Sequence, residues 1–322
     1  MPILTIVLLA AIVVAAPGVV QAQSPAKVYR IGVFTDLSVE DAPKLWQASL
    51  RERGYIEGKN AVFEVRAAAE KFDLLRELVT ELMEAKVDII LTTSTPTALA
   101  AKQVTSTTPI VTFSGDPVGA GLVTSLAHPG GNVTGVYVPV VEMAPKRLQL
   151  LKEAVPGLSS VAILWNPHNS ASQVQAKATE AAARSLGLTT FFVEITNESS
   201  LHSALQLLHT RRPSGFIVMQ DPVLHDAAKT LAEFAIKNKI PAFHNYRAFA
   251  DAGGLMSYGV SLKGLFETCA TYVDKVLKGA KPADLPMEQP SRYEFVVNLK
   301  TAKRLGITIP QSILLRADEV IK

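Results

Sequence analysis

Short apolar runs alternate with amphipathic segments along most of this chain. Residues 28–35 form a run of strand length, and residues 43–53 have the apolar spacing of a helix. A second round of alternation covers residues 144–245, and later residues 293–298 predict a strand and residues 310–320 a terminal helix or turn. This pattern predicts parallel sheets with helices on both faces, in two α/β lobes rather than in one sheet of more than about ten strands.

Four of the apolar runs end in a small polar residue followed directly by proline. The four junctions are Thr95-Pro96, Asp116-Pro117, Asn166-Pro167 and Asp221-Pro222. Such residues cap helices, and proline suits the first helical turn, so each junction predicts a helix start at the carboxyl end of a strand. Parallel sheets bind ligands at that edge, and helix N-termini favour anions. The pattern favours one cleft for a small polar molecule, and ordinary βα turns are the alternative.

The first 22 residues predict a secretory signal peptide. Residues 3–16 are apolar, Pro17 and Gly18 interrupt the run, and Val20-Gln21-Ala22 fits a small-residue cleavage site. The run is shorter than the roughly 20 residues of a spanning helix, which favours cleavage over a membrane anchor. It departs from the usual signal in having no Lys or Arg before the apolar run. We therefore expect a periplasmic protein.

Composition and motifs exclude several classes of function. The 322 residues are 48% hydrophobic with a net charge of +3, which supports two cores and gives no reason to expect a nucleic-acid partner. The single Cys269 permits no internal disulfide. Neither a nucleophile elbow, nor a Walker A loop, nor a metal-ligand spacing among the six histidines is present in the sequence. We therefore expect no catalytic residue, no cofactor and no metal.

Seven blocks of sequence are familiar in content and in order. They are GYIEGKN (54–60), TPTALAAKQ (95–103), GDPVGAGLV (115–123), SLAHPGGNVTG (125–135), AGGLMSYG (252–259), LKGAKPADLP (277–286) and RADEVI (316–321). Together they resemble the ABC transporter substrate-binding proteins of the tryptophan/tyrosine-type family. The resemblance implies the type I periplasmic-binding-protein fold, with two Rossmann-like lobes of parallel sheet joined by a three-strand hinge. It also implies delivery of a solute to an ABC permease in the membrane.

We predict that lobe one comprises residues 27–138 and 252–285, and lobe two residues 139–251 and 286–322. Ligand contacts are expected from strand ends in both lobes. The candidates in lobe one are Thr35, Asp36, Ser94, Thr95, Thr97, Ser114 and Asp116, and those in lobe two are Trp165, Asn166, Gln220, Asp221, Asn245 and Tyr246.

These candidates suggest specific roles. The segment 94–97 would hold a carboxylate through hydroxyls and backbone N–H groups. Asp116 would pair with an ammonium, or else only cap a helix. Trp165 or Tyr246 could stack on an apolar part of the ligand, with core packing an equal interpretation for Trp165.

The predicted function is that of a monomeric solute-binding component of an ABC importer. Its ligand would be an amino acid or a related carboxylate, with an aromatic amino acid as one option. Two alternatives remain open from the sequence: a sensor of the same fold that feeds a membrane receptor, and a secreted enzyme.

Overall fold

Two parallel-dominated sheets organise the residues described by the computed structural model, which are 27–36, 41–68 and 74–322. The predicted signal peptide, residues 1–22, lies outside this set. Among the described residues, no helix has the length and apolar character needed to cross a membrane.

The first sheet has five parallel strands in the order β2-β1-β3-β4-β5. In chain order its elements are β1 (Tyr29–Thr35), α1 (Asp41–Arg51), β2 (Ala61–Ala67), α2 (Leu75–Glu84), β3 (Ile89–Thr92), α3 (Thr95–Val104), β4 (Ile110–Ser114) and β5 (Val133–Tyr137). Helices cover both faces, with Trp46 of α1 in the core on one side and Leu82 of α2 on the other. Burial on both faces explains why β3 and β4 are continuous apolar runs.

The second sheet has seven strands in the order β12-β11-β10-β9-β8-β6-β7. Its elements are α4 (Val140–Ala154), β6 (Ser160–Trp165), α5 (Ser170–Ser185), β7 (Thr189–Glu194), α6 (Glu198–Arg211), β8 (Gly215–Val218), α7 (Pro222–Asp226), α8 (Ala228–Asn238), β9 (Ala242–His244), α9 (Arg247–Asp251), β10 (Met256–Val260), β11 (Tyr293–Asn298), α11 (Leu299–Leu305), α12 (Gln311–Leu314) and β12 (Glu319–Ile321). All pairs are parallel except β10 with β11.

The chain crosses between the two lobes three times. The first crossing follows β5, since α4 packs in the core of lobe two. The second follows β10, because α10 (Leu262–Leu277) returns to the core of lobe one. The third follows Glu288, whose carbonyl accepts a hydrogen bond from the Tyr137 N–H before the chain enters β11. Three adjacent crossings provide a hinge about which two lobes can close.

The structure divides the segment 252–285 differently from the sequence-based division into lobes. Residues 256–260 form β10, which pairs with β9 and β11 and so lies in lobe two. The core of lobe one takes up Val260, the last residue of β10, and the residues of α10 that follow. The apolar pattern of a strand gives its burial but not the sheet that it joins.

Two further elements differ from the predicted ones. The segment after Asp116-Pro117 is a turn rather than a helix. Near the carboxyl terminus, the expected helix or turn resolves into α12 and the edge strand β12, which pairs only with β11. A three-residue edge strand has too little pattern of its own to be recognised.

Candidate functional site

The lobe-one face of the cleft is a set of side chains at the carboxyl ends of β1, β3 and β4: Thr35, Asp36, Thr93, Ser94, Thr95, Thr97 and Ser114. Asp36 lies at its centre. Its Oδ1 accepts a hydrogen bond of 3.0 Å from Thr93 Oγ1, and its Oδ2 accepts one of 2.5 Å from Ser94 Oγ. Thr35 Oγ1 lies 3.0 Å from Thr93 Oγ1. The hydroxyls therefore hold one buried carboxylate in place at the carboxyl ends of β1 and β3.

Ser94 also caps α3, because its Oγ accepts a hydrogen bond from the Thr97 N–H. The sequence had placed this role next to Pro96, on Thr95. Thr95 Oγ1 instead lies 2.7 Å from Ser114 Oγ, which also accepts a hydrogen bond from the Asp116 N–H. Thr95 and Ser114 thus tie the end of β4 to the start of α3.

Asp116 lies beside the Asp36 cluster rather than within it. Its carboxylate folds over the following turn, so that a Cβ added to Gly119 would fall 2.3 Å from Asp116 Oδ1. No helix follows Asp116, so it caps a turn at most. The pairing of Asp116 with an ammonium stays a prediction, and Asp36 is a second, buried carboxylate at the same edge of the sheet.

The lobe-two face of the cleft consists of Arg147, Asn166, Gln175, Asp221, Asn245 and Tyr246, all of them buried. Asp221 follows β8 and caps α7, since its Oδ1 accepts hydrogen bonds from the Val223 and Leu224 N–H groups. Its Oδ2 accepts a 3.0 Å bond from the Asn169 amide. The Asp221-Pro222 junction therefore starts a helix as the sequence indicated, and also places a carboxylate at the cleft.

The helix after Asn166-Pro167 begins three residues later than the junction predicts. Asn169 caps α5 by accepting from the Ala171 N–H. Asn166 Oδ1 accepts from the His168 N–H at 2.9 Å, while its amide nitrogen lies close enough to Asp221 to oppose the rise in the pKa of that carboxyl but lacks the geometry of a full hydrogen bond. The amide N–H of Asn166 is therefore a buried donor that lies among other polar groups.

A buried histidine fixes the strand end that carries Asn245 and Tyr246. His244 Nδ1 accepts a 3.0 Å hydrogen bond from the Tyr246 N–H, so Nε2 carries the proton and donates to the Leu224 carbonyl at 3.2 Å. Burial lowers the pKa of His244 to about 3, so the ring is neutral. The Tyr246 ring packs edge-on against His225 at 4.6 Å between centroids.

The remaining lobe-two candidates lie at the edge of this group. Trp165 is partly exposed and packs against Phe192 of the neighbouring strand, with ring centroids 5.6 Å apart. Gln220 contributes its backbone, whose N–H donates to Gln175 Oε1 at 2.5 Å. The structure thus gathers Asn166, Asp221, Asn245 and Tyr246, and adds Gln175 behind them.

The two faces meet across the cleft. Burial, together with the negative charge of Asp221 from the other lobe, raises the pKa of Asp36 to about 6. Burial likewise raises the pKa of Asp221. Burial also raises the pKa of the Tyr246 hydroxyl, and the negative charges of Asp221 and Asp36 raise it further. The lobes also touch at Gly115, where an added Cβ would fall 2.8 Å from the Ala171 Cβ. The two lobes therefore touch each other at this point in the described conformation.

Several buried polar atoms of the lobe-two face have hydrogen-bonding capacity left over. Arg147 Nη1, Asn166 Nδ2, Gln175 Nε2 and both amide atoms of Asn245 have no partner in the described part of the chain. Arg147 and Gln175 were not predicted from the sequence. The available signal for Arg147 is a charge on an otherwise apolar helix face, with Met143 one turn before it and Leu151 one turn after. Buried polar groups are normally hydrogen-bonded, so these atoms are ones that a solute could satisfy.

The family model for ABC transporter substrate binding proteins matches residues 38–321. This chain belongs to that family. The family indicated by the seven sequence blocks is therefore confirmed. The two parallel-dominated sheets match the type I periplasmic-binding-protein fold, so the predicted fold class is confirmed as well.

Three relatives of this family member illustrate the similarity. A protein of Clostridioides difficile (strain R20291) named tyrosine-binding protein is 27% identical over 273 residues, which are 84% of this chain and 78% of the relative. The crystal structure of an ABC domain from Streptococcus pneumonia in complex with L-Trp has a TM-score of 0.83 at 28% identity, and covers 92% of this chain and 100% of that one. A conserved domain protein of Vibrio cholerae has a TM-score of 0.84 at 26% identity, with 91% and 100% covered.

Proposed function

We propose that this chain is the periplasmic solute-binding component of an ABC importer and that it captures an amino acid between its two lobes. Membership of the substrate-binding family supports the general role. Two lobes joined by three crossings, with polar groups buried where they meet, support capture by closure. The partner that receives the solute would be a permease in the membrane.

The observation that carries the proposal is the approach of two carboxylates from opposite lobes. Asp36 is 3% exposed and Asp221 is 1% exposed, and no cation of the described residues pairs with either. Like charges buried together without a cation are unfavourable. An ammonium group of the solute would balance them and would make closure favourable only when the solute is present.

An aromatic amino acid is the class that we propose within the amino acids. One relative is named a tyrosine-binding protein, and another was crystallised with L-Trp. The lobe-two face offers the Tyr246 ring at the strand end next to Asn245, where a flat side chain could be accommodated.

The first experiment identifies the solute directly. The mature protein is purified without added ligand and denatured, and the released small molecules are measured by mass spectrometry. We expect an amino acid, and we expect calorimetry on the stripped protein to show binding of L-tyrosine or L-tryptophan. Failure of every common amino acid to bind would reject the proposed ligand class.

The transport role needs a separate measurement. Uptake of the radiolabelled amino acid by cells that contain the protein should exceed uptake by cells that lack it. Asp36→Asn serves as the matched variant, because it removes one of the two facing carboxylates with little change in side-chain size. Equal uptake by cells with and without the protein, together with normal ligand binding in vitro, would favour the sensor over the importer.

A further inference from the structure

We propose that Arg147 recognises the carboxylate of the solute, while Asp36 and Asp221 receive its ammonium. The inference rests on the proposed function and assigns a residue to it that sequence reasoning did not find. It also gives the solute an orientation, with the carboxylate toward the hinge.

The position of Arg147 is next to two of the three crossings. It lies on α4, eight residues after Pro139, where the chain enters lobe two. Its Nε donates a 2.8 Å hydrogen bond to the Tyr258 carbonyl of β10, two residues before that strand ends at Val260. Its Nη2 lies 3.9 Å from Met143 Sδ, which is a weak acceptor. The guanidinium is therefore held at the hinge end of the cleft by one strong bond.

The charge of Arg147 is buried and unbalanced. The side chain is 0% exposed, Nη1 has no hydrogen-bond partner, and no carboxylate within the described ranges pairs with it. Burial lowers its pKa to about 10, so it remains a cation at neutral pH. A buried cation without an anion is costly, and the planar fork of a guanidinium matches a carboxylate in two parallel hydrogen bonds. A ligand carboxylate supplies the missing anion.

Arg147 and the two carboxylates act on the same buried hydroxyl. The Tyr246 hydroxyl interacts electrostatically with Asp221, with Arg147 and with Asp36. Asn245, whose amide is unpartnered, lies beside that hydroxyl. One cationic and two anionic groups around a single phenol fit a zwitterion, because an α-amino acid carries its ammonium and carboxylate on one carbon. An amine without a carboxylate would leave Arg147 unpaired.

A purely structural role for Arg147 makes a different prediction. The Nε bond to Tyr258 could serve only to join α4 to β10 at the hinge. Loss of that bond would then weaken binding of every ligand by the same factor. If Arg147 instead binds the ligand carboxylate, its loss would weaken the binding only of ligands that carry a carboxylate.

The experiment compares L-tyrosine with tyramine and L-tyrosinamide, which keep the ammonium and lack the carboxylate. Affinities are measured by calorimetry, with competition for weak ligands, on the wild type and on Arg147→Met. We expect Arg147→Met to lower L-tyrosine affinity by about 100-fold and to change tyramine affinity by less than about threefold. Arg147→Lys should recover part of the loss, because it keeps the charge without the fork.

Lys146→Met is the matched control. Lys146 precedes Arg147 on the same helix and donates to the Tyr258 hydroxyl at 2.7 Å, but its side chain is exposed. We expect it to leave all three affinities unchanged. Equal loss of L-tyrosine and tyramine in Arg147→Met would overturn the carboxylate assignment while leaving the solute-binding role intact. If no amino acid binds the wild type, the proposed function itself fails.

Discussion

The two faces of the cleft use their polar groups in opposite ways. On the lobe-one face, the hydroxyls of Thr93, Ser94, Thr95 and Ser114 are all hydrogen-bonded within the lobe. On the lobe-two face, Arg147 and Asn245 keep polar atoms without a partner. Lobe one therefore presents a finished surface with one carboxylate, and lobe two presents groups that a ligand can still satisfy.

This difference suggests a division of labour between the lobes. A self-satisfied face is preorganised, so it loses little conformational freedom when a ligand binds. A face with unsatisfied donors discriminates between ligands, because a ligand that does not pair with these donors leaves a buried polar group without a hydrogen bond. We expect Asp36 of lobe one to anchor the ammonium together with Asp221, and the other groups of lobe two to select the rest of the solute.

Asp36→Asn tests the anchor and should have a larger effect than Gly115→Ala, Thr95→Val or Asn245→Ala. It removes the carboxylate that the lobe-one face presents but keeps the shape of the side chain. Affinity for the amino acid should fall by about 3 kcal/mol, because the ammonium loses a buried anionic partner. Calorimetry measures the loss. Asp88→Asn is the control on the same lobe, since Asp88 pairs with Lys27 at the opposite end of β1.

The same carboxylate should make binding depend on pH. With a pKa of about 6, Asp36 is protonated as the pH falls below that value and no longer attracts an ammonium. Affinity should therefore drop about tenfold between pH 7 and pH 5, and Asp36→Asn should flatten this profile. In the ligand-free protein, a lower pH has the opposite effect, because it increases the free energy of unfolding. The folded state binds a proton more readily than the unfolded chain, so lowering the pH from 6 toward 4 stabilises it. Affinity that stays constant from pH 7 to pH 5 would contradict the role of Asp36.

Gly115→Ala tests whether the two faces must meet. The added methyl group would fall 2.8 Å from the Ala171 Cβ and 2.9 Å from Val140 Cγ1, so the lobes would have to separate slightly. We expect a loss of about 2 kcal/mol in affinity, because the Ala171 contact joins the two lobes, together with some loss of stability in the ligand-free protein, because Val140 packs in the core of lobe one. Small-angle scattering with saturating ligand should show a larger radius of gyration than for the wild type.

Gly131→Ala provides the control for this change. It lies in the same lobe, and a Cβ there would meet nothing within 4 Å. It should bind and close normally. A Gly115→Ala protein that binds as tightly as Gly131→Ala would mean that the contact at Gly115 is not part of ligand-bound closure.

The sequence predicted the fold better than it predicted the site. Alternating apolar runs identify strands and helices because burial on both faces of a parallel sheet leaves a continuous pattern. The polar residues at the strand ends were predictable for the same reason, and Asp36, Ser94 and Asp221 lie where the topology requires. The lobe to which β10 belongs was not predictable, because the apolar pattern of a strand does not identify the strands beside it.

Arg147 could not be predicted because its burial depends on tertiary contacts. An arginine on a helix is usually an exposed residue, and here the tertiary packing of α4, with Arg147 Nε bonded to β10, removes this one from solvent. The prediction of a helix after Asp116 was wrong for a related reason. Asp-Pro starts helices and turns alike, and here the connection from β4 to β5, residues 115–132, begins with a turn.

The comparison of the two faces is tested most directly by one substitution on each. Thr95→Val removes a hydroxyl whose partner is Ser114, so it should lower the free energy of unfolding by about 1 kcal/mol and leave affinity within about threefold. Asn245→Ala removes an amide without a partner in the described residues, so it should lower affinity by about 1 kcal/mol and leave the ligand-free stability unchanged. Thermal unfolding and calorimetry on both variants give all four numbers. If both substitutions changed the same quantity, the two faces would not differ in role, because a group satisfied within the protein contributes to folding, whereas an unsatisfied one contributes only when the solute arrives.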